Sequence, residues 1–250
     1  MTRQFVISPD VNVRNITDWF ILNTKVQRMT GEAFHATVYT DFADLHKAYS
    51  EGLADLVFAN AADTATLVRD HGYLPIAAPY GVSKEASVVV AADGPLHALA
   101  DLPAHLTVAS TDAPDVERIC RILLEPANLG AADLTLQVKP NPVLVAKAVM
   151  RDEVQVGFFP RDAYDELSTM VRAELRVLIA SKIYVVRNSF LASPAIASLI
   201  DAIWAGLESM NNDPDSAELL AGLGAPHGWE RLSIEDTRFM IDLMDALSQG

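Results

Sequence analysis

The densest run of chemistry-capable side chains is Asp112, Asp115 and Glu117, three carboxylates around Ala113-Pro114, where a helical segment opens. Carboxylates drawn out of water are stabilised by a positive partner, so this trio can line a surface that selects a cation. The same residues can instead serve the helix. Asp112 has the position of an N-cap, and Asp115 and Glu117 suit the positive end of the helix dipole. Cys120 follows one and a half turns in, among Ile119, Ile122 and Leu123; it reads as a small buried hydrophobe, with a thiol site for a soft ligand as the alternative. The six histidines, among them His35, His46, His71 and His97, show neither HExxH nor a close pair at metal spacing, so no metal site and no cofactor is expected. Phe158, Phe159, Trp19 and Tyr80 can stack on a ring-bearing ligand or fill a core. Arg14 and Arg161 can grip a carboxylate in bidentate fashion or stand in solvent at helix starts. For catalysis, no GxSxG elbow, Gly-rich phosphate cradle or supported Cys-His pairing is present.

The elements that must position these residues alternate along the chain. Arg3 to Ser8 reads as a strand, and Ile16 to Met29 as a helix with Ile16, Trp19, Phe20 and Met29 near one face. Phe34 to Tyr39 is followed by Phe42, Leu45 and Tyr49 at helical spacing, then by Asp55 to Ala59 and a helix ending near His71-Gly72. Three βα units imply a mostly parallel sheet. Glu85 to Ala92 is a continuous apolar run of strand length that can cross between lobes, and Lys182 to Arg187 has the same character. Between them lies a second βα series: Leu106 to Ala109, a helix from Pro114, Leu134 to Val138, a helix from Pro142, Val154 to Phe159, and a helix from Arg161. Three closing helices without strands are expected from Ser193-Pro194, Asp213-Pro214 and Ser233.

Size and charge bound the function. The chain has 250 residues, half of them hydrophobic, which suffices for two lobes with separate cores. With 19 Lys and Arg against 33 Asp and Glu, the net charge of -14 disfavours nucleic acid and anionic membrane surfaces as partners. No apolar stretch approaches the roughly 20 residues that span a bilayer, so membrane insertion is not expected. A lone cysteine fits a reducing compartment, and MTRQFVISPD runs straight into a strand without a signal-peptide core. The expectation is therefore a cytoplasmic location for the chain as given, or a periplasmic one for a trimmed mature form.

Several passages together resemble the phosphonate-binding branch of the type 2 periplasmic binding proteins. DFADLHKAYSEGLADLVFANAADTATLVRDHGYLPIA is similar to that family's first-lobe passage, in which an aromatic after Asp opens a helix and a Gly-x-x-Asp turn starts a strand. SVVVAADGPLHALADL resembles its crossing strand with an acidic turn, AKAVMRDEVQVGFFPRDAYDEL its second-lobe helix, strand and helix, and MNNDPDSAELLAGLGAPHGWERLSIEDTRFMIDL its closing helices. The resemblance implies an α/β fold of two lobes, each a mostly parallel sheet flanked by helices. Lobe one would comprise residues 1–84 and 186–250, and lobe two residues 85–185, with two crossing hinge strands between them.

The function so implied is a solute-binding protein that captures a small molecule in a cleft by hinge closure and catalyses nothing. The resemblance places ligand contacts at Asn60 and at Ser110-Thr111, where the family carries a Ser-Thr-Ser-Gly loop at a helix start that favours an anion. Phe42 and Glu85 stand where it carries pocket tyrosines, and Asn141 near its histidine. With Asn12, Thr40, Ser87, Asp112 and Phe159 these complete the expected ligand-binding set. Its partners would be an ABC importer or, for a chain without an export signal, a cytoplasmic sensor or enzyme complex. The alternative is a cytoplasmic enzyme on the same fold, of the lyase, dehydratase or thiamine-precursor type.

Overall fold

The computed structural model describes residues 2–11 and 15–246. The chain forms two compact units, Met1–Ser83 with Arg187–Leu243, and Lys84–Val186 with Met244–Gly250. The first opens with β1 (Arg3–Ile7), α1 (Ile16–Thr30), β2 (Phe34–Val38), α2 (Phe42–Ser50), β3 (Leu56–Ala59), α3 (Ala61–His71) and β4 (Leu74–Pro79). The second holds β5 (Ala86–Ala91), β6 (Leu106–Ser110), α4 (Pro114–Leu124), β7 (Leu134–Val138), α5 (Pro142–Met150), β8 (Val156–Pro160), α6 (Arg161–Asp165), α7 (Thr169–Ala173) and β9 (Leu175–Ala180). The chain then returns to the first unit with β10 (Ser189–Ala192), α8 (Ile200–Asn211), α9 (Ala217–Gly222), β11 (Trp229–Arg231) and α10 (Ile234–Ala246), whose last residues, from Met244, group with the second unit.

Local chemistry sets the boundaries. Asp41 caps α2, its carboxylate accepting the Asp44 N–H at 2.8 Å, and Asn60 caps α3 through the Asp63 N–H at 2.7 Å. Gly31 and Gly72 end α1 and α3 in the left-handed conformation, at φ 71 and 68. Ser233 and Asp236 exchange side-chain to backbone bonds at the start of α10, a reciprocal cap.

In the first unit the sheet order is β11-β4-β10-β3-β1-β2. β1 pairs in parallel with β2 and β3, while β10 runs antiparallel to both β3 and β4. It follows that β1 to β4 all point one way, with carboxyl ends at Ser8, Tyr39, Asn60 and Tyr80. Both faces are covered. Phe5, Ile7, Phe58 and Phe190 alternate with Val6, Val57, Ala59 and Leu191, and the two sets fall into separate buried clusters. The first cluster is centred on aromatic rings, with centroids 4.7 Å apart for Trp19 and Phe58, 4.8 Å for Phe58 and Phe190, and 5.1 Å for Phe190 and Trp229. α1 buries Trp19, Leu22, Asn23 and Val26. Ile16 and Phe20, read near one face with the buried Trp19, are exposed at 37% and 47%.

In the second unit the order is β7-β6-β8-β5-β9. β6 is parallel to β7 and β8, and β5 is antiparallel to β8 and β9, so β6 to β9 share a direction and end together at Ser110, Val138, Pro160 and Ala180.

The two-lobed α/β architecture thus has mixed ladders where mostly parallel ones were expected. In each sheet a reversed strand, β5 or β10, is inserted among strands that run together, which makes both of its ladders antiparallel, and β11 is a second reversed strand at the edge of the first sheet. Lys182 to Arg187 is not a strand; it links β9, which ends at Ala180, to β10, which starts at Ser189. The closing region also contains β11, which extends the first sheet beside β4.

Gly157 on β8 tests the packing of α5. A Cβ there would lie 2.7 Å from Phe159, 2.9 Å from Val149 and 3.1 Å from Val145. Gly157→Ala is expected to destabilise by about 1–3 kcal/mol through overpacking. A thermal melt should show it as a loss of about 2–4 °C for each kcal/mol; an unchanged melt would show that α5 is not seated this closely on β8.

Candidate functional site

At the carboxyl edge of the first sheet, Ile7 pairs with Phe58 and Ser189 with Ala59, so Ser8, Ala59 and Ser189 lie side by side in the last row. α3 packs on the same face of the sheet through Leu67 and holds the buried Thr64 near its start. Among the described residues, the buried oxygens Ser8 Oγ, Thr64 Oγ1, Ser189 Oγ and Asn188 Oδ1 have no hydrogen-bond partner. Asn188 directs its Nδ2 to Asp10 Oδ2 at 3.0 Å, and because a carboxylate only accepts, the amide's oxygen must face the other way. Leaving such groups buried and unpaired costs about 1–3 kcal/mol each, a cost that a bound molecule or ordered water at this edge would relieve.

Next to this row, Asp63 accepts from His46 Nε2 at 2.8 Å and from Asn60 Nδ2 at 3.4 Å. The His46 ring stands 6.0 Å from the rings of Phe42 and Tyr49. The Tyr49 hydroxyl is buried without a partner, and burial, reinforced by the Asp63 carboxylate, holds its pKa far above the usual phenol range.

On the corresponding edge of the second sheet, Ser110 ends β6 fully buried, with its hydroxyl unpartnered. α4 follows, and its N-cap is Ala113, without a side-chain cap bond. The first turn of α4 carries the carboxylates of Asp115, which is buried, and Glu117, as expected for the positive end of a helix dipole. Ser87 and Phe159 pair across β5 and β8, both fully buried, and the Ser87 hydroxyl is also unpartnered.

Glu85, just ahead of β5, turns its carboxylate onto the segment that follows β9. It accepts from the Ser181 hydroxyl, from the Ile183 N–H at 3.0 Å and from the Tyr184 N–H at 2.8 Å. Its backbone carbonyl takes the Arg161 N–H at 2.8 Å, which fixes this clamp at the carboxyl end of β8.

The residues expected from sequence divide by use. Thr40, Phe42 and Asn60 stand at the edge of the first sheet, but Phe42 is 7% exposed within the core and Asn60 is spent on capping α3. Asn12 and Arg14 lie outside the described residues. Glu85, Ser110, Thr111 and Asn141 share the edge of the second sheet; Asn141 caps α5 through the Leu144 N–H at 3.0 Å, and Glu85 is the clamp just described. Asp112 is exposed and does not cap α4, since the chain enters the helix one residue later, at Ala113. Phe159 is core, facing the Tyr164 ring at 5.8 Å. Cys120 is buried against the Ser87 carbonyl at 3.7 Å, and burial pushes its thiol pKa up, which suits a packing role. Among the described residues no group of three or more His, Cys, Asp or Glu is placed to hold a metal ion, and no helix is long and apolar enough to cross a membrane.

Sequence reading missed Ser8, Thr64, Asn188, Ser189 and Tyr184. The available signal is positional and covers two of them: Ser8 stands just past a parallel strand, and Thr64 near the start of the helix behind another.

Residues 5–237 match the profile of the family described as ABC transporter, phosphonate, periplasmic substrate-binding protein. A search of curated proteins finds no match. Among solved structures, XAC2383 from Xanthomonas citri bound to ATP has a TM-score of 0.80 at 15% identity, covering 99% of this chain and 97% of its own. PhnD1 from Prochlorococcus marinus in complex with methylphosphonate has a TM-score of 0.79 at 11% identity, covering 100% and 99%. A binding-protein component of an ABC phosphonate transporter from Pseudomonas aeruginosa gives 0.74 at 13%, covering 99% and 87%. The matched family is periplasmic, which overturns the cytoplasmic expectation. A lone buried cysteine is compatible with an oxidising compartment, since it has no second thiol to pair with.

The buried phenols of the first unit give a pH test. A phenol whose folded pKa is raised above its unfolded value of 10.0 contributes stability that is complete below pH 10 and lost as pH rises toward the folded pKa. Tyr49→Phe should leave stability at pH 7 within about 1 kcal/mol of the parent, because no bond is lost, and should flatten the decline above pH 10. Tyr73, whose hydroxyl donates to the Ala54 carbonyl at 2.5 Å and whose pKa is pushed up to about 12 by burial and then by Asp55, should lose stability at pH 7 when changed to Phe. Urea midpoints at the two pH values decide; equal behaviour of the two variants would contradict the assignment.

Proposed function

We propose, from the premise that the chain belongs to the phosphonate-type periplasmic substrate-binding family of ABC transporters, that it captures a small oxyanion-bearing solute by hinge closure and hands it unchanged to an importer. The protein is a solute-binding protein and not an enzyme, so the enzyme alternative falls away. The observation that carries the anion reading is the buried, unpartnered Ser110 hydroxyl at the end of β6, ahead of α4, whose N-cap residue Ala113 makes no side-chain bond. A hydroxyl donor and helix N–H groups offered together suit a tetrahedral oxyanion. Ser8, Thr64 and Ser189 supply further hydroxyl donors on the first unit. ATP and methylphosphonate, carried by two relatives in fold, share a phosphorus oxyanion, which supports the same class here.

The pocket differs from the family pattern that the sequence resembles. Phe42 is packed in the core, Glu85 is occupied as a clamp and Asn141 as a cap, so none of the three replaces the pocket group it stands in for. Recognition then rests on hydroxyls and backbone N–H groups, which grip the oxyanion head and say little about what is attached to it. With a net charge of -14 the protein repels anions at a distance, so association should quicken as salt screens that field.

Calorimetric titration with methylphosphonate and inorganic phosphate tests the reading. Ser110→Ala should weaken binding about ten- to hundredfold, the range for one hydrogen bond to a charged group, without lowering the melting temperature of the ligand-free protein. If neither anion binds, or if only cationic solutes raise the melting temperature, the anion reading is wrong.

A further inference from the structure

We infer that Tyr184 is a ligand-contacting residue, an aromatic platform on the second unit that takes the organic portion of an anionic solute while the Glu85 clamp holds it in place; this rests on the anion-binding reading above. Three residues other than glycine have positive φ among the described residues: Asn128, Asp152 and Tyr184. Asn and Asp tolerate the left-handed region because their short side chains bond locally. Tyr184, at φ 61, has no such relief, and a turn that merely needed this conformation would be served by glycine or asparagine. Its ring is 70% exposed, so packing does not offset the strain.

What does hold the backbone there is Glu85, through the Ile183 and Tyr184 N–H groups and the Ser181 hydroxyl. Ser181 is bound to β5 twice more, its N–H to the Ala86 carbonyl at 2.9 Å and its Oγ to the Ala86 N–H at 2.9 Å. The Lys84 N–H reaches the Val186 carbonyl at 2.5 Å. A strained conformation fixed by this many bonds, for a side chain that stays outside the core, is the pattern of a contact residue. Its place agrees. Ala86 pairs with Pro160 and Ser87 with Ala180, so Tyr184 leaves the sheet at the edge where β6 ends in Ser110. A phenol ring presented there offers a flat face to a ring or a C–H-rich group attached to an oxyanion held at α4.

The test compares phenylphosphonate with methylphosphonate by calorimetric titration. The parent protein should bind phenylphosphonate more tightly by about three- to tenfold, the range for one stacking contact. Tyr184→Ala and Tyr184→Gly should bring the two ligands to within about twofold of each other, and Tyr184→Phe should retain the preference. Tyr184→Gly should also keep or raise the melting temperature, since glycine adopts this backbone freely. Glu85→Gln, which exchanges one acceptor oxygen for an NH2 donor, should lose part of the preference. If the parent binds phosphonates and Tyr184→Ala and Tyr184→Gly keep its preference unchanged, the platform is refuted and the anion reading stands. If the parent binds neither phosphonate, the anion reading fails and the platform with it.

Discussion

Strands that run side by side in the same direction cannot be joined by tight turns; each needs a return segment, here mostly helical, and that return begins where the strand ends. In both units this constraint stacks the carboxyl ends of four strands on one edge, followed at several of them by the N-terminus of a helix. The free N–H groups that an anion needs are consequently delivered to that edge by topology, before any side chain is chosen. The inserted reversed strands obey the same constraint from the other side. β5 and β10 must begin where their neighbours end, so Glu85 and the Asn188-Ser189 pair sit on the edges without any local signal that would send them there.

This separates what the sequence discloses from what it hides. The βα alternation is written in local periodicity, and the caps Asp41 and Asn60 stand at helix starts in plain view. β4 is harder, because Leu74–Pro79 carries a proline at its second and last positions and so reads as an edge or a turn. The Lys182 to Arg187 segment misleads for a physical reason: its apolar, branched residues have strand propensity, yet the N–H groups of Ile183 and Tyr184 are taken by a carboxylate 98 and 99 residues earlier in the chain. A ladder that has lost its donors cannot form. Partnerlessness is likewise a tertiary property. Nothing in the local sequence around Ser8, Thr64 or Ser189 distinguishes a hydroxyl that finds a carbonyl from one that does not, and only the row formed by β1, β3 and β10 shows them together.

The same residue type meets opposite fates at these edges. Asn60 and Asn141 spend their side chains on helix starts, whereas Asn188, oriented by Asp10, retains a buried acceptor. Phe42 and Phe159 are drawn into cores, while Tyr184 is kept out of one. In each case burial alone does not decide the role; the number of hydrogen-bonding positions already filled does.

That accounting also explains how an acidic residue can stand near the surface proposed to take an anion. A bare carboxylate at Glu85 would repel an oxyanion strongly in a partly desolvated place. Here the charge faces one hydroxyl and two backbone N–H groups whose dipoles point at it, so much of its field is answered by donors within the second unit itself. The carboxylate acts as a resident anion that occupies one set of donors at this edge. A single side chain thereby satisfies these donors and braces the segment from Ser181 to Tyr184.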